Sequence, residues 1–274
     1  MKRISLILVL VLFGCAKQND HHWLGYAEGD YAYVSAPQAG WVVKLDVKRG
    51  DDVKDGAPLF SLDDVSQTAA RDQAEAQIAQ AEGQMGQATA NLDLAQKELK
   101  RQAGLLRSHA TSQQNYDQAK SAQQAAAAQV AQIQATENQA RASLANATYQ
   151  LSQRDVVAHT HGRVQDIYFR EGEYAPAMTP VLEILPPENI FVRFFVPESD
   201  FAKLHLGENV LIGCDSCGGP IKAKITFIAS QEEFTPPVIF SEASRDKLVY
   251  KVEARAAGGL KLHPGQPVDV RPAP

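Results

Sequence analysis

What this sequence lacks narrows what it can be. Excess positive charge is missing: the formal net charge is -5 at pH 7 and the two signs are interspersed, which leaves no electrostatic footprint for nucleic acid. A second long apolar run is missing too. Beyond Phe13 nothing reaches the length of a bilayer-spanning helix. Walker A loop, nucleophile elbow, metal-ligand set and cofactor-binding loop are all absent. The chain is therefore expected to be no enzyme, with no catalytic, cofactor-binding or metal residues. Proline, finally, is absent from residues 64–152.

That proline-free stretch is crowded with Ala, Gln, Asn and Glu, and its apolar residues recur every seven positions. Ile78, Met85, Leu92, Leu99 and Leu106 form one row, and Ala74, Ala81, Ala88 and Ala95 the row beside it. Further on, Tyr116, Val130, Leu144 and Leu151 share a row whose neighbour is Ala119, Ala126, Ile133, Ala140 and Ala147. Paired rows offset by three and four residues are the seam of a coiled coil. The spacing predicts an antiparallel helical hairpin over 64–152, turning at 107–112. Arms of about 40 residues reach about 60 Å at 1.5 Å per residue.

The flanks of the hairpin repeat each other. VSAPQAGWVVKLDVKRGDDVKDGAPLFSL (34–62) aligns without gaps to VVAHTHGRVQDIYFREGEYAPAMTPVLEI (156–184). Ala36 meets Ala158, Gly40 meets Gly162, Val42 meets Val164, Gly50 meets Gly172, and Pro58 meets Pro180. One supersecondary unit is used twice. Alternating apolar residues predict strands, and the Gly-Asp and Gly-Glu pairs predict tight turns. Neither half is large enough to bury a core alone, so the halves are expected to pack face to face, with the hairpin leaving and returning between them.

After Pro186-Pro187, strands are expected at Asn189–Val196, Ile221–Ile228, Lys247–Arg255 and Pro267–Arg271, with a short helix at Glu198–Leu204. Tyr26–Val34 is expected to add one strand. Short strands separated by Gly and Pro suit a small barrel. At the other end, Lys2 and Arg3 precede the apolar run Ile4–Phe13, which is too short to span a bilayer and has the layout of a signal peptide. Leu12-Phe13-Gly14-Cys15 looks like a bacterial lipobox. It implies that Cys15 is lipidated and that the mature protein sits in the periplasm, anchored to a membrane, with the inner membrane favoured.

Together these elements resemble the periplasmic adaptor proteins, or membrane fusion proteins of HlyD type, of tripartite efflux and secretion systems. The expected fold class is α+β, multidomain and elongated. It reads as signal peptide and lipobox (1–15), N-terminal linker and barrel strand (16–33), first half of a lipoyl-like domain (34–63), coiled-coil hairpin (64–152), second lipoyl half (153–187) and β-barrel (188–274). The chain ends soon after HPGQPVDV, the resemblance's last barrel strand, so a separate membrane-proximal domain is expected to be absent or vestigial. The family often carries Arg, then Leu, then Ser around the hairpin turn. Arg101, Leu105 and Ser112 have that spacing and are implied to dock on an outer-membrane channel of the TolC type. Read from the residues alone, Arg101 is a solvated helix residue, Leu105 a seam residue and Ser112 a helix N-cap.

The segment IASQEEFTPPVIFSEASRDKLVYKVEA (228–254) and the Cys214-x-x-Cys217 pair resemble adaptors of ABC-type exporters. The implied partners are an ABC-type inner-membrane transporter, the channel, and copies of the chain itself as a hexamer, exporting small molecules such as drugs or other toxic compounds. In an oxidising compartment Cys214 and Cys217 tend to pair as a disulfide. A metal site, which needs about two more ligands, and a free or redox-active pair remain open. His21, His22, His159, His161 and His205 supply no ligand set that the sequence brings together. Two other functions stay in view: a structural envelope spacer, and a lipoyl or biotinyl carrier, which would need an exposed Lys where the hairpin stands.

Overall fold

The computed structural model describes residues 22–215, 217–234 and 248–273. The lipobox, Cys15 with it, lies outside them, as do residues 235–247 of the 228–254 segment. The described chain divides into two units, one made of residues 22–31 with 185–273, the other of Ala32–Ile184.

The second unit is a β-sandwich with a hairpin inserted in it. Its strands in the first repeat are β2 (Ala32–Ser35), β3 (Gly40–Leu45), β4 (Asp52–Val53) and β5 (Pro58–Leu62). Those of the second are β6 (Asp155–Val157), β7 (Gly162–Ile167), β8 (Tyr174–Ala175) and β9 (Pro180–Leu185). The two halves do not simply pack face to face as expected. One sheet runs β2-β9-β7-β4 and the other β6-β5-β3-β8, so each half lends two strands to each sheet. The physical reason lies in the strands themselves: a two-residue strand such as β4 or β8 cannot hold a hairpin, and it finds its ladder on the other half. The exchange is two-fold in character. Gly50 N–H donates to Val164 O at 2.8 Å, and Gly172 N–H to Val42 O at 2.8 Å. Lys48 N–H donates to Asp51 Oδ2 at 2.8 Å, and Arg170 N–H to Glu173 Oε2 at 2.9 Å. Gly50 and Gly172 both have positive φ, the conformation that favours glycine. The shared core holds Ala36, Val42, Leu59, Phe60 and Leu62 together with Ala158, Val164, Val181, Leu182 and Ile184.

Between β5 and β6 the chain makes α1 (Val65–Arg107) and α2 (Gln113–Ser152). The Ala rows lie deepest in the seam, with Ala74, Ala81, Ala88, Ala119 and Ala140 buried beside Ile133. Larger seam residues such as Leu92 and Leu99 are half-buried, because a two-helix seam has no third layer to cover it. Where α2 rejoins the sandwich, Arg154 is buried and its Nη1 donates to Ala39 O at 2.9 Å. No helix among the described residues is long and apolar enough to cross a membrane.

The other unit is a barrel of β1 (Trp23–Gly29), β10 (Ile190–Pro197), β11 (Asn209–Gly213), β12 (Ile221–Ile228), β14 (Leu248–Arg255) and β15 (Pro267–Pro272), with the short β13 (Glu233–Phe234) added beside β14. The ladder β10-β1-β15-β11-β12-β14 closes through pairing of β14 with β10, which leaves these six strands no open sheet edge. The helix α3 covers only Glu198–Phe201. The single strand expected over Tyr26–Val34 is instead two, β1 in the barrel and β2 in the sandwich, with Asp30 and Tyr31 between the two strands. Gly25 is required in β1: a Cβ there would stand 2.4 Å from Arg193 O. Trp23 stacks on Phe194 with ring centroids 5.7 Å apart inside the barrel core.

Candidate functional site

The end of the hairpin is a built turn rather than a frayed one. Helix α1 stops because His109 enters the left-handed region at φ 57. Ala110 N–H then returns to Leu105 O at 2.8 Å and Ser108 Oγ donates to Leu105 O at 3.0 Å, satisfying carbonyls at the helix end. Helix α2 starts at the Ser112 cap, whose Oγ accepts from Asn115 N–H at 3.3 Å. Side chains then tie the turn to the end of α1. Thr111 Oγ1 donates to Gln102 Oε1 at 2.9 Å, Gln102 Nε2 donates to Glu98 Oε1 at 2.9 Å, and Arg101 Nη1 pairs with Glu98 Oε2 at 2.9 Å.

Of the three residues singled out for this tip, Arg101 and Leu105 lie one helical turn apart on α1, both exposed. Leu105 is not a seam residue: it is 37% exposed, and Leu106 holds the half-buried seat in the Leu92–Leu99 row. Ser112 is engaged as the cap, although its hydroxyl proton can still donate. Chemically the tip offers a cation with several N–H donors, an apolar side chain and a hydroxyl. Glu98, Gln102 and Thr111 were not anticipated; the four-residue spacing of Glu98 and Gln102 was the available signal.

One seam seat is filled against the pattern. Glu137 falls in the Val130–Leu144 row and is only 7% exposed. Its Oε1 pairs with Arg141 Nη2, and its Oε2 accepts from Gln134 Nε2 at 3.2 Å. In the sandwich, Tyr168 Oη donates to buried Glu183 Oε2 at 2.6 Å. That hydrogen bond first, then desolvation and the Glu183 charge, push the Tyr168 phenol up to about 12.

Cys214 and Cys217 are joined by a disulfide with Cα atoms 5.2 Å apart, packed against the barrel core. Gln266 Nε2 lies 3.3 Å from Cys214 Sγ. Among the described residues no three His, Cys, Asp or Glu side chains gather as a metal site. His159 lines a groove between the edge strands β2 and β6, together with Tyr33, Ser35 and Thr160.

The hairpin, the interleaved sandwich and the six-stranded barrel define the class: the chain has the architecture of the membrane fusion proteins, the periplasmic adaptors its sequence resembles. Residues 77–154 match the family model described as "RND MFP, alpha-helical hairpin domain". Among solved structures, MacA from Actinobacillus actinomycetemcomitans is similar at 21% identity and TM-score 0.73, over 92% of this chain and 78% of that one. The membrane fusion protein Spr0693 from Streptococcus pneumoniae R6 is similar at 17% identity and TM-score 0.64, over 92% and 98%. At such identities the likeness is one of fold. Among curated proteins, a "UPF0194 membrane protein" of Yersinia pseudotuberculosis is 28% identical over 93% of this chain and 90% of its own length. An uncharacterized protein of Haemophilus influenzae is 28% identical over 72% of this chain, which spans 44% of that relative.

Proposed function

We propose that the protein is a periplasmic adaptor that couples an inner-membrane transporter to an outer-membrane channel, and that it is anchored to the inner membrane through Cys15. The observation that carries this reading is the hairpin: two helices of about 60 Å, mounted between the halves of a β-sandwich and ending in an ordered turn that exposes Arg101 and Leu105. A rod so built is a device for reach. Its distinctive chemistry is at its end, which suits docking. Arg101 donates to carbonyls or carboxylates of the channel, and Leu105 fills an apolar notch. Six copies around one axis would form the conduit for small molecules such as drugs or other toxic compounds.

An ABC-type transporter is the partner this reading favours. The support is the resemblance of residues 228–254 and of the Cys214–Cys217 pair to adaptors of ABC-type exporters. The matched hairpin model carries RND in its description, but the hairpin is the part assigned here to the channel, whereas the barrel segment is assigned to the transporter. The experiment is in-cell crosslinking from the tip to the channel, read beside export and protein level. Arg101→Asp and Leu105→Ser are expected to lose both crosslinking and export at wild-type abundance. Variants that crosslink and export normally refute docking at the tip. Copurification of an ATP-hydrolysing transporter with the wild-type chain tests the energy source, and copurification of a proton-driven pump instead refutes it.

A further inference from the structure

One platform occurs twice in the sandwich and carries unlike side chains. Pairing of β3 with β8 sets Trp41 opposite Tyr174, and pairing of β4 with β7 sets Asp52 opposite Arg163. The seats are equivalent by the internal repeat. Gly40 and Val42 are buried on either side of Trp41, as Gly162 and Val164 are on either side of Arg163. The period of two along a strand therefore turns both Trp41 and Arg163 away from the core, each on the outer face of its own sheet. The two sheets are opposite walls of one sandwich.

The first platform is apolar and exposed. Trp41 is 56% and Tyr174 51% exposed, and their rings meet edge to face at 5.4 Å. Val43, two residues along β3, is 60% exposed. The second platform carries an ion pair, Arg163 Nε to Asp52 Oδ1 at 3.2 Å. The backbone does not demand aromatics, since the equivalent seats are filled by charged groups. Large aromatic surface left in water where an ion pair would serve marks a contact surface.

We propose that the Trp41–Tyr174 face of one copy docks on the Arg163–Asp52 face of the next. A guanidinium lies favourably over an indole ring, and Asp52 can accept from the Tyr174 hydroxyl. The occupant is a second copy because the chain itself carries the complementary group on its opposite wall. Such a contact is heterologous: it leaves a free face at each end and closes into a ring when the rotation per copy allows. An isologous contact would set Trp41 against Trp41 and stop at two copies. The inference rests on the multi-copy adaptor reading and identifies the surface and direction by which neighbours join.

The test uses the full chain in cells and a short bismaleimide. A chain carrying both Trp41→Cys and Arg163→Cys is expected to give a ladder beyond the dimer, and each single variant none. Because that pair removes both Trp41 and Arg163, Val43→Cys with Gln165→Cys is the deciding pair, which leaves the proposed contacts in place. Adding Arg163→Glu to that pair is expected to lower the ladder at least fivefold at unchanged abundance. Dimers from Trp41→Cys alone, or no ladder from either pair, overturn the proposal. Tip-to-channel crosslinking is read in the same cells. If the ladder is lost while tip crosslinking persists, this interface alone fails. A ladder without tip crosslinking upholds the interface and refutes docking at the tip.

Discussion

Replacing Glu137 by leucine should stabilise the hairpin, although it removes an ion pair. Glu137 occupies a seam seat at 7% exposure, so its carboxylate is held away from water. Its partners are not: Arg141 keeps 61% of its side chain exposed, and Gln134 is exposed as well. Removing the carboxylate therefore strands no buried charge, since both partners return to water. The pair resembles a surface ion pair on the arginine side, worth about 0–1 kcal/mol, and the Gln134 hydrogen bond adds about 1 kcal/mol. Against this, a leucine buried in the Val130–Leu144 row contributes about 1.5–3 kcal/mol, and the desolvation of the carboxylate disappears. The balance favours Glu137→Leu by about 1–2 kcal/mol. For a cooperative unit the size of the hairpin, that raises the melting temperature by several degrees, at about 4–8 °C per kcal/mol. Thermal unfolding followed by far-UV circular dichroism measures it, with Glu137→Gln as a control expected near the wild type. A lower melting temperature for Glu137→Leu would show that the carboxylate network contributes more than its half-exposed geometry allows, and the reasoning would be refuted.

Other outcomes follow from the sequence and the structure. Labelled fatty acid should enter the wild type and not Cys15→Ser; equal labelling would end the lipobox reading. Purified protein should show no free thiol at Cys214 or Cys217 without reductant, and replacing both by serine should cost about 2 kcal/mol for so short a loop; stoichiometric zinc or freely titrating thiols would contradict the disulfide. Glu183→Gln should return Tyr168 from about 12 towards 10, seen as tyrosinate absorbance during a pH titration. Because the folded state raises this pKa, the interaction's stabilisation is complete below pH 10 and is lost as pH rises through about 12.

The repeat and the heptad rows made the sandwich and hairpin legible, because both are periodic and periodicity is what burial imposes on a sequence. Gly40 with Gly162 and Val42 with Val164 take equivalent places as aligned. What was not legible came from the third dimension. The exchange of β4 and β8 between halves leaves no trace in the alignment, which is identical for swapped and unswapped sheets. Glu137 was invisible to a search for apolar seats. Leu105 and Leu106 are adjacent, and only the seven-residue count from Leu92 and Leu99 separates the seam residue from the exposed one. The Tyr26–Val34 segment holds no proline to mark a break, yet the chain passes from one unit to the other after Tyr31. Arg154, a charged residue at the edge of a helix, gave no sign that it would be buried against Ala39.

The interleaving of the two half-repeats also bears on how the chain reaches its folded state. Strands β5 and β6 pair directly although the whole hairpin separates them, so an unstructured intervening segment would impose a large closure entropy before the sandwich gained anything. Zipping α1 against α2 brings residues 64 and 153 together first. By the logarithmic dependence on loop length, shrinking that loop from about 90 residues to a few lowers the cost by about 3 kcal/mol. The helical rod thus acts as a clamp during folding. The barrel is interrupted in its turn by the sandwich, between β1 and β10, so the same logic applies one level out. The order of assembly is nested: the innermost segment closes first, and each completed module makes a local contact of what would otherwise be a distant one.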